Sequence, residues 1–173
     1  GYVIEAFRNA GHDVTVILTE KTPFTRNWCR AHGIAHLTGS GSGYIEDIGE
    51  AVELLELADP FFTCGADLPC LHPGVIREIE EKYRESGREA CSVWVPRELV
   101  LDAGCRSSYT EQIGGIPACP AGINILRGDL IARQQEEVQL LLHEKSLVFN
   151  INTRDELERL RLWFSRTGRR NTK

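Results

Sequence analysis

Asp67 is the acidic residue best placed for chemistry in this sequence. It lies in the segment CGADLP at 64–69, directly after an apolar run at 60–64 that we predict to be a strand. Open α/β sheets place their ligands at the carboxyl ends of strands. A carboxylate held there in a tight turn suits a hard cation such as Mg²⁺ that also contacts substrate phosphates. The alternative is a cap for the helix that we predict from Pro73, but that helix begins too late for Asp67 to cap it.

A glycine-rich stretch is the second feature that could bind a ligand. Gly39, Gly41 and Gly43 alternate with serines just before a predicted helix. Such a loop can bring backbone N–H groups and a helix N-terminus close to an anion or a nucleotide. It does not match G-x-G-x-x-G, because the last required glycine falls at Tyr44, and the sequence has no P-loop lysine motif. A flexible turn between strand and helix remains the alternative.

Two amides near the carboxyl end form the third candidate. Asn150 and Asn152 follow an apolar run and precede a predicted last helix, for which Thr153 and Glu156 supply a capping box. Because Thr153 already serves as the cap, neither amide has an obvious structural task. Turn chemistry is the alternative for both.

Composition narrows the class of protein. The chain has 173 residues, of which 42% are apolar, and a net charge of −5. A net negative charge is poorly suited to binding the phosphates of nucleic acids, and no apolar window is long enough to cross a membrane. The six cysteines contain no C-x-x-C pair, so we expect reduced thiols and a cytoplasmic protein. The sequence leaves the oligomeric state open, with a homodimer as one outcome.

Strand-length apolar runs alternate with helical periodicity, a pattern typical of an α/β fold with a mostly parallel sheet. We predict one domain over 1–173, with an irregular segment at 96–120 and a frayed tail at 166–173. The predicted strands are 14–18, 34–37, 60–64, 90–95, 123–126 and 147–151. The predicted helices are 2–10, 22–33, 44–58, 73–86, 129–143 and a last one after Thr153.

Five motifs, taken in order, carry a resemblance to a known family. They are TPFTRNW at 22–28, GSGSGYIEDI at 39–48, ADLPCL at 66–71, PAGINIL at 120–126 and FNINTRDEL at 149–157. Together they resemble the nucleotidyltransferase fold of the molybdenum cofactor guanylyltransferase type, and within it the archaeal GTP:adenosylcobinamide-phosphate guanylyltransferases. The match runs from about Val3 to Leu160. It implies a three-layer α/β/α, Rossmann-like fold with a mixed, mostly parallel sheet.

One departure from that family concerns the amino end. Such enzymes begin with a strand and a glycine-rich loop, G-G-x-G-x-R-M, followed by a lysine, and this sequence contains none of these. The sequence also opens on Gly1 and has no methionine. The resemblance implies that the first strand and its glycine-rich loop, roughly 30–40 residues, are missing. We expect the chain as given to be inactive.

The resemblance also implies a reaction and a set of residue roles. GMP would pass from GTP to adenosylcobinamide phosphate, a corrinoid phosphate, and pyrophosphate would leave. Asp67 and Asn152 would hold Mg²⁺, with Asn150 beside them. Nucleotide contacts would come from Gly39, Gly41, Gly43 and Tyr44, with Asp47 accepting from guanine or holding the loop, and the acceptor phosphate would be bordered by Gly122 and Asn124. The alternatives are a molybdenum cofactor guanylyltransferase or other nucleotidyltransferase, and a noncatalytic nucleotide-binding fragment.

Overall fold

A computed structural model describes residues 1–105, 109–151 and 153–167, and of residues 154 and 163–167 only the backbone. Asn152 and the predicted tail from residue 168 onward therefore lie outside the described residues. The helices are α1 Tyr2–Ala10, α2 Pro23–Ala31, α3 Tyr44–Leu54, α4 Pro73–Ser86, α5 Arg97–Asp102 and α6 Arg154–Thr167. The strands are β1 Val16–Leu18, β2 His36–Thr38, β3 Pro60–Cys64, β4 Ala90–Pro96, β5 Glu111–Ile113, β6 Ile116–Arg127 and β7 Glu137–Leu141. Short 3₁₀ turns lie at Gly128–Leu130 and Lys145–Leu147.

The strands form two separate sheets. β1 pairs in parallel with β2, and a five-stranded sheet has the order β3-β6-β4-β7 with β5 added on β6. In the larger sheet β3, β4 and β7 run in one direction and β6 runs against them. This mixed architecture, with helices between most strands, confirms the predicted α/β class.

One apolar core lies against a single face of the larger sheet. α4 presents Val75, Ile76 and Ile79 to it, and all three are at most 2% exposed. Pro73 begins α4 because its ring already has the helical φ, and Gly87 ends α4 because it adopts the left-handed φ of 63°. α1 packs beside α4 on this core. Among the described helices, none combines the length and apolar composition needed to cross a bilayer.

The segment predicted as irregular, 96–120, contains regular structure. It holds α5, β5 and the first part of β6, and β5 and β6 are joined by a hairpin at Gly114–Gly115. Both glycines have positive φ, as a tight two-residue hairpin turn requires. The prediction was wrong because Pro117 and Pro120 interrupt the β6 pattern, and prolines argue against a central strand.

Two further predicted elements were also wrong. The helix predicted over 129–143 is replaced by a 3₁₀ turn and β7, which pairs in parallel with β4 from Ala90↔Glu137 onward. The strand predicted over 147–151 is a 3₁₀ turn followed by non-repetitive backbone. Its apolar residues Leu147, Val148 and Phe149 are nevertheless at most 5% exposed. A short apolar run reports burial and does not fix the backbone conformation.

Candidate functional site

Asp67 lies just beyond the carboxyl end of β3, as predicted, and its side chain is half-buried. Its carboxylate folds back over Gly65, where any Cβ would collide with Oδ1. The Asp67 carbonyl accepts a hydrogen bond from the Ile151 N–H at 2.9 Å. The Gly65 N–H donates to the Gly122 carbonyl at 3.1 Å. The Asp67 turn is therefore fixed from two sides, by β6 and by the segment before α6.

Gly122 and Asn124 lie on β6 at a bulge. The pairing of β4 with β6 shifts between Ser92↔Asn124 and Trp94↔Pro120, and Gly122 within that shift has a φ of +76°. A β-bulge bends its strand and tolerates glycine in this left-handed region. The structure thus brings Gly122 next to the Asp67 turn through the Gly65 hydrogen bond.

The glycine loop is held by acidic side chains of α3. Asp47 Oδ1 accepts from the Gly41 N–H at 2.8 Å, and Glu50 accepts from the Ser40 N–H at 2.8 Å. A Cβ at Gly39 would lie only 2.5 Å from Asp47 Oδ1, so a larger residue there would displace the Asp47 carboxylate. Of the two tasks suggested for Asp47, the geometry shows loop holding.

Thr63 joins the glycine-loop side of the site to the β6 side, and sequence reasoning missed it. The exposed Tyr44 hydroxyl donates to Thr63 Oγ1 at 3.1 Å, and Asn124 Nδ2 donates to the same atom at 3.3 Å. Thr63 is the last but one residue of β3 and lies directly opposite Asn124 in the register. A polar residue at the end of an otherwise apolar strand was the signal that could have indicated it.

The segment before α6 reaches the site through its backbone. The predicted capping box is confirmed, because the Thr153 N–H donates to Glu156 at 2.8 Å and the Glu156 N–H donates to Thr153 at 3.2 Å. Asn150 is exposed and precedes the residue that bonds to Asp67. Asn152, the other predicted amide, lies outside the described residues.

The two thiols at the site, Cys64 and Cys70, are not ionised at neutral pH. Burial, with a smaller contribution from Asp67, raises the pKa of Cys64 to about 12, and burial raises the pKa of Cys70 to about 11. Both thiols therefore stay protonated at neutral pH and are poor nucleophiles. Within the described ranges no three His, Cys, Asp or Glu side chains form a metal cluster. A cation at Asp67 would take its remaining ligands from oxygens of other kinds, as Mg²⁺ does with substrate phosphates and water.

A cavity of about 1330 Å³ opens beside these residues, between β1 and β3. Tyr44, Asp47, Thr63 and Cys64 lie along it, together with residues of α1. The volume exceeds the ~300–1,000 Å³ of typical small-molecule sites. The candidate site therefore occupies one border of a larger opening in the fold.

Comparison with solved structures defines the class as a nucleotidyltransferase-like α/β fold. A hypothetical transferase from Thermus thermophilus superposes with a TM-score of 0.67 and 13% identity, over 90% of this chain and 84% of that one. Molybdopterin-guanine dinucleotide biosynthesis protein A from Archaeoglobus fulgidus superposes with a TM-score of 0.61 and 14% identity, over 95% and 84%. At these identities the likeness shows the fold, and it agrees with the expectation from sequence.

Among curated proteins, the chain is similar to the adenosylcobinamide-phosphate guanylyltransferase of Methanocaldococcus jannaschii. The two are 26% identical over 167 residues, which is 91% of this chain and 78% of the relative. No family model matches the chain. This relative confirms the resemblance indicated by the five sequence motifs. The proteins to which the chain is similar are transferases.

Proposed function

We propose that the site serves the transfer of GMP from GTP to adenosylcobinamide phosphate, with release of pyrophosphate. The convergence of three separate motifs on the end of β3 supports this proposal. Asp67 follows β3, the 149–151 segment bonds to the Asp67 carbonyl, and Tyr44 meets Asn124 at Thr63. The guanylyl donor and the corrinoid acceptor are taken from the name of the curated relative.

The proposed step exchanges one phosphoanhydride bond for another. A phosphate oxygen of the acceptor attacks the α-phosphorus of GTP, and the bond from that phosphorus to the oxygen bridging to the β-phosphate breaks. The bond electrons leave with pyrophosphate. Because a phosphate monoester is already ionised at neutral pH, no general base is needed. The residues must therefore align the reactants and neutralise charge.

Asp67 and Asn152 are proposed to hold Mg²⁺, with Asn150 beside them. The cation, when bound, would neutralise charge on the phosphates. Asp67 fits this role, because its carboxylate is half-buried over Gly65 and its turn is fixed at both sides. Within the chain itself, the Ile151 bond keeps the Asn150 segment against that turn.

The nucleotide is proposed to lie along the glycine loop. Gly39, Gly41 and Gly43 allow the backbone to approach the guanine and ribose, and the exposed Tyr44 ring lies at the start of α3 beside them. Asp47 keeps the loop in place. On the opposite side, Gly122 and Asn124 are proposed to border the acceptor phosphate.

Pyrophosphate release tests this function. The assay would use the polypeptide translated from the in-frame upstream coding sequence through Lys173, with Mg-GTP and adenosylcobinamide phosphate. ATP and CTP would replace GTP in parallel, molybdopterin would replace the corrinoid, and the 173-residue chain would be the control. We expect release only with GTP and the corrinoid phosphate, and none from the control. Turnover with another acceptor would overturn the substrate assignment, and no turnover with any combination would favour the noncatalytic alternative.

A further inference from the structure

The larger sheet has a polar face on the side opposite its apolar core. On β4, Cys91 and Val93 pack into the core and are 1% exposed, whereas Ser92 between them belongs to the other face and is half-buried. Successive side chains of a strand point to opposite faces, so the neighbouring strands divide in the same way. On β7, Val138 packs against the core while Gln139 is exposed. The polar face is therefore open to solvent along β7 and partly open over β4.

The register places four polar side chains of this face in one row across the sheet. Asn124 of β6 lies opposite Thr63 of β3 on one side and opposite Ser92 of β4 on the other. Ser92 in turn lies opposite Gln139 of β7. Neighbouring strands are ~4.8 Å apart, so these four residues, which we call the polar row, span about 14 Å. The polar row begins inside the candidate site, because Thr63 and Asn124 already belong to that site.

Glu137 adds a charged acceptor beside the polar row. Its side chain is exposed and lies on the same face as Gln139, two residues further along β7. The Ser92 hydroxyl donates a hydrogen bond to Glu137 Oε1, and Ser92 Oγ accepts one from the Trp94 ring N–H at 2.7 Å. Trp94 and Ser92 thus hold the carboxylate by one oxygen. The other oxygen, Oε2, is available to accept a hydrogen bond from a ligand on this face.

An apolar shelf borders the polar row on the side of the β5–β6 hairpin. Trp94 lies opposite Leu141 in the register, and both pack with Ile113 of β5. The exposed Tyr109 ring is tilted against the Trp94 ring, with the ring centroids 6.0 Å apart. An apolar shelf next to a row of hydrogen-bonding groups suits a wide ligand that combines an apolar body with uncharged polar groups.

We propose that the polar row and Glu137 recognise carboxamide groups at the rim of the acceptor and thereby select it. This inference rests on the proposed function, in which Asn124 borders the acceptor phosphate and the acceptor is a cobinamide, a flat ring that carries carboxamide side chains. A carboxamide both donates and accepts hydrogen bonds, as the side chains of the polar row also do. Glu137 Oε2 can accept from the carboxamide NH₂ group, but it would repel a carboxylate in the same place.

Binding measured without turnover tests this inference. Titration calorimetry would give the Kd of the 173-residue chain for adenosylcobinamide phosphate and for an analogue whose carboxamides are hydrolysed to carboxylates. The variants are Glu137→Gln and Gln139→Ala, two exposed positions at which the fold should tolerate the change. Their matched controls are Glu136→Gln, an exposed carboxylate that pairs with Arg88 instead, and Gln134→Ala, an exposed amide outside the strands. Circular dichroism would check the fold of every variant.

We expect the parent chain to bind the amide form about tenfold or more tightly than the carboxylate form. Glu137→Gln should reduce that preference to about threefold or less, and Gln139→Ala should raise the Kd for the amide form about three- to tenfold. Both controls should bind like the parent. Equal binding of the two forms by the parent, or variants that bind like their controls, would overturn this inference and leave the proposed substrate standing. No binding of either form by the folded parent would overturn the substrate assignment itself, and this inference with it.

Discussion

The backbone N–H of Ile151 bonds to the carbonyl of Asp67 at 2.9 Å, although the two residues are far apart in the sequence. This single contact fastens the segment before α6 to the turn after β3. It places Asn150 next to the acidic turn without any contact between their side chains being required. Two motifs that the sequence shows separately are therefore parts of one site.

Asp67→Asn is predicted to abolish transfer while leaving the fold intact, when it is introduced into the polypeptide that includes the upstream coding sequence. The amide keeps the shape of the side chain but removes the negative charge that would hold Mg²⁺. Pyrophosphate release measures the loss, and circular dichroism checks the fold. The matched control is Glu81→Gln, an exposed carboxylate on α4. Retention of more than about a tenth of the activity would refute the metal role of Asp67.

Gly65→Ala is predicted to reduce transfer, but by less than loss of the Asp67 carboxylate does. The added Cβ would occupy the space where Asp67 Oδ1 lies, so the carboxylate must move. Gly49→Ala is the control, because Gly49 lies within α3 and its Cβ would meet no atom within 4 Å. That control should leave transfer unchanged and raise the free energy of unfolding by about 0.5–1 kcal/mol. Unchanged kinetics in Gly65→Ala would contradict the proposed position of the carboxylate.

Thr63→Val is predicted to raise KM for the nucleotide by about tenfold with a smaller change in kcat. The change removes the oxygen that accepts from the exposed Tyr44 hydroxyl and from the half-buried Asn124 amide, and leaving a buried donor without an acceptor costs about 1–3 kcal/mol. Thr63→Ser keeps that oxygen and should restore KM. Steady-state kinetics separates the two parameters. A serine variant as impaired as the valine variant would assign the effect to packing.

Cys64 is predicted to resist alkylation by iodoacetamide in the folded chain at pH 7–9. Burial and the nearby Asp67 raise its pKa to about 12, so the reactive thiolate forms only as the pH approaches that value. Asp67→Asn should lower the pKa and speed alkylation modestly, because burial, the larger cause, remains. Mass spectrometry of the labelled peptide gives the rates, with urea-unfolded chain as the reference. Rapid labelling at pH 7 would show that Cys64 is not buried.

Glu50→Gln is predicted to destabilise the chain at neutral pH but to have little effect in acid. Hydrogen bonds from the Ser40 hydroxyl and amide lower the pKa of Glu50 below its ordinary value of 4.5. A carboxylate whose pKa falls on folding adds stability above its unfolded pKa, and that contribution is lost as the pH falls through the folded value. Urea unfolding from pH 7 to pH 3 measures the difference between variant and parent. A difference that stays constant with pH would show that the contribution of Glu50 to stability does not depend on its charge.

The sequence predicted those elements whose local signals agree with their tertiary environment. β3 and α4 were predicted with the observed bounds, because Pro60 and Pro73 mark their starts and a glycine follows each end. Asp67 could be placed because its position depends on the end of one strand. Thr63 could be noticed as a polar residue at the end of an apolar strand, but its contact with Asn124 could not be predicted, because it depends on the pairing of β3 with β6, which no local pattern contains.

β7 could not be predicted from its local sequence pattern alone. Its alternating pattern at 137–141 lies within a longer stretch that also fits helical spacing, and the parallel partner β4 decides between them. The 96–120 segment was missed for a related reason, since the two prolines of β6 mask a strand that a hairpin and two neighbours stabilise. Long-range pairing overrode local preference in both cases.

The position of β6 between β3 and β4 has a consequence during synthesis. β3 ends at Cys64, but the strand that pairs with it runs to Arg127, and β7 comes later still. At roughly 5–20 residues per second, β3 waits several seconds in the nascent chain before its partner is made. The larger sheet can therefore assemble only late in translation, whereas β1 and β2 are complete early. The aromatic pair Phe61 and Phe62 is the segment that chaperones would be expected to shield in that interval.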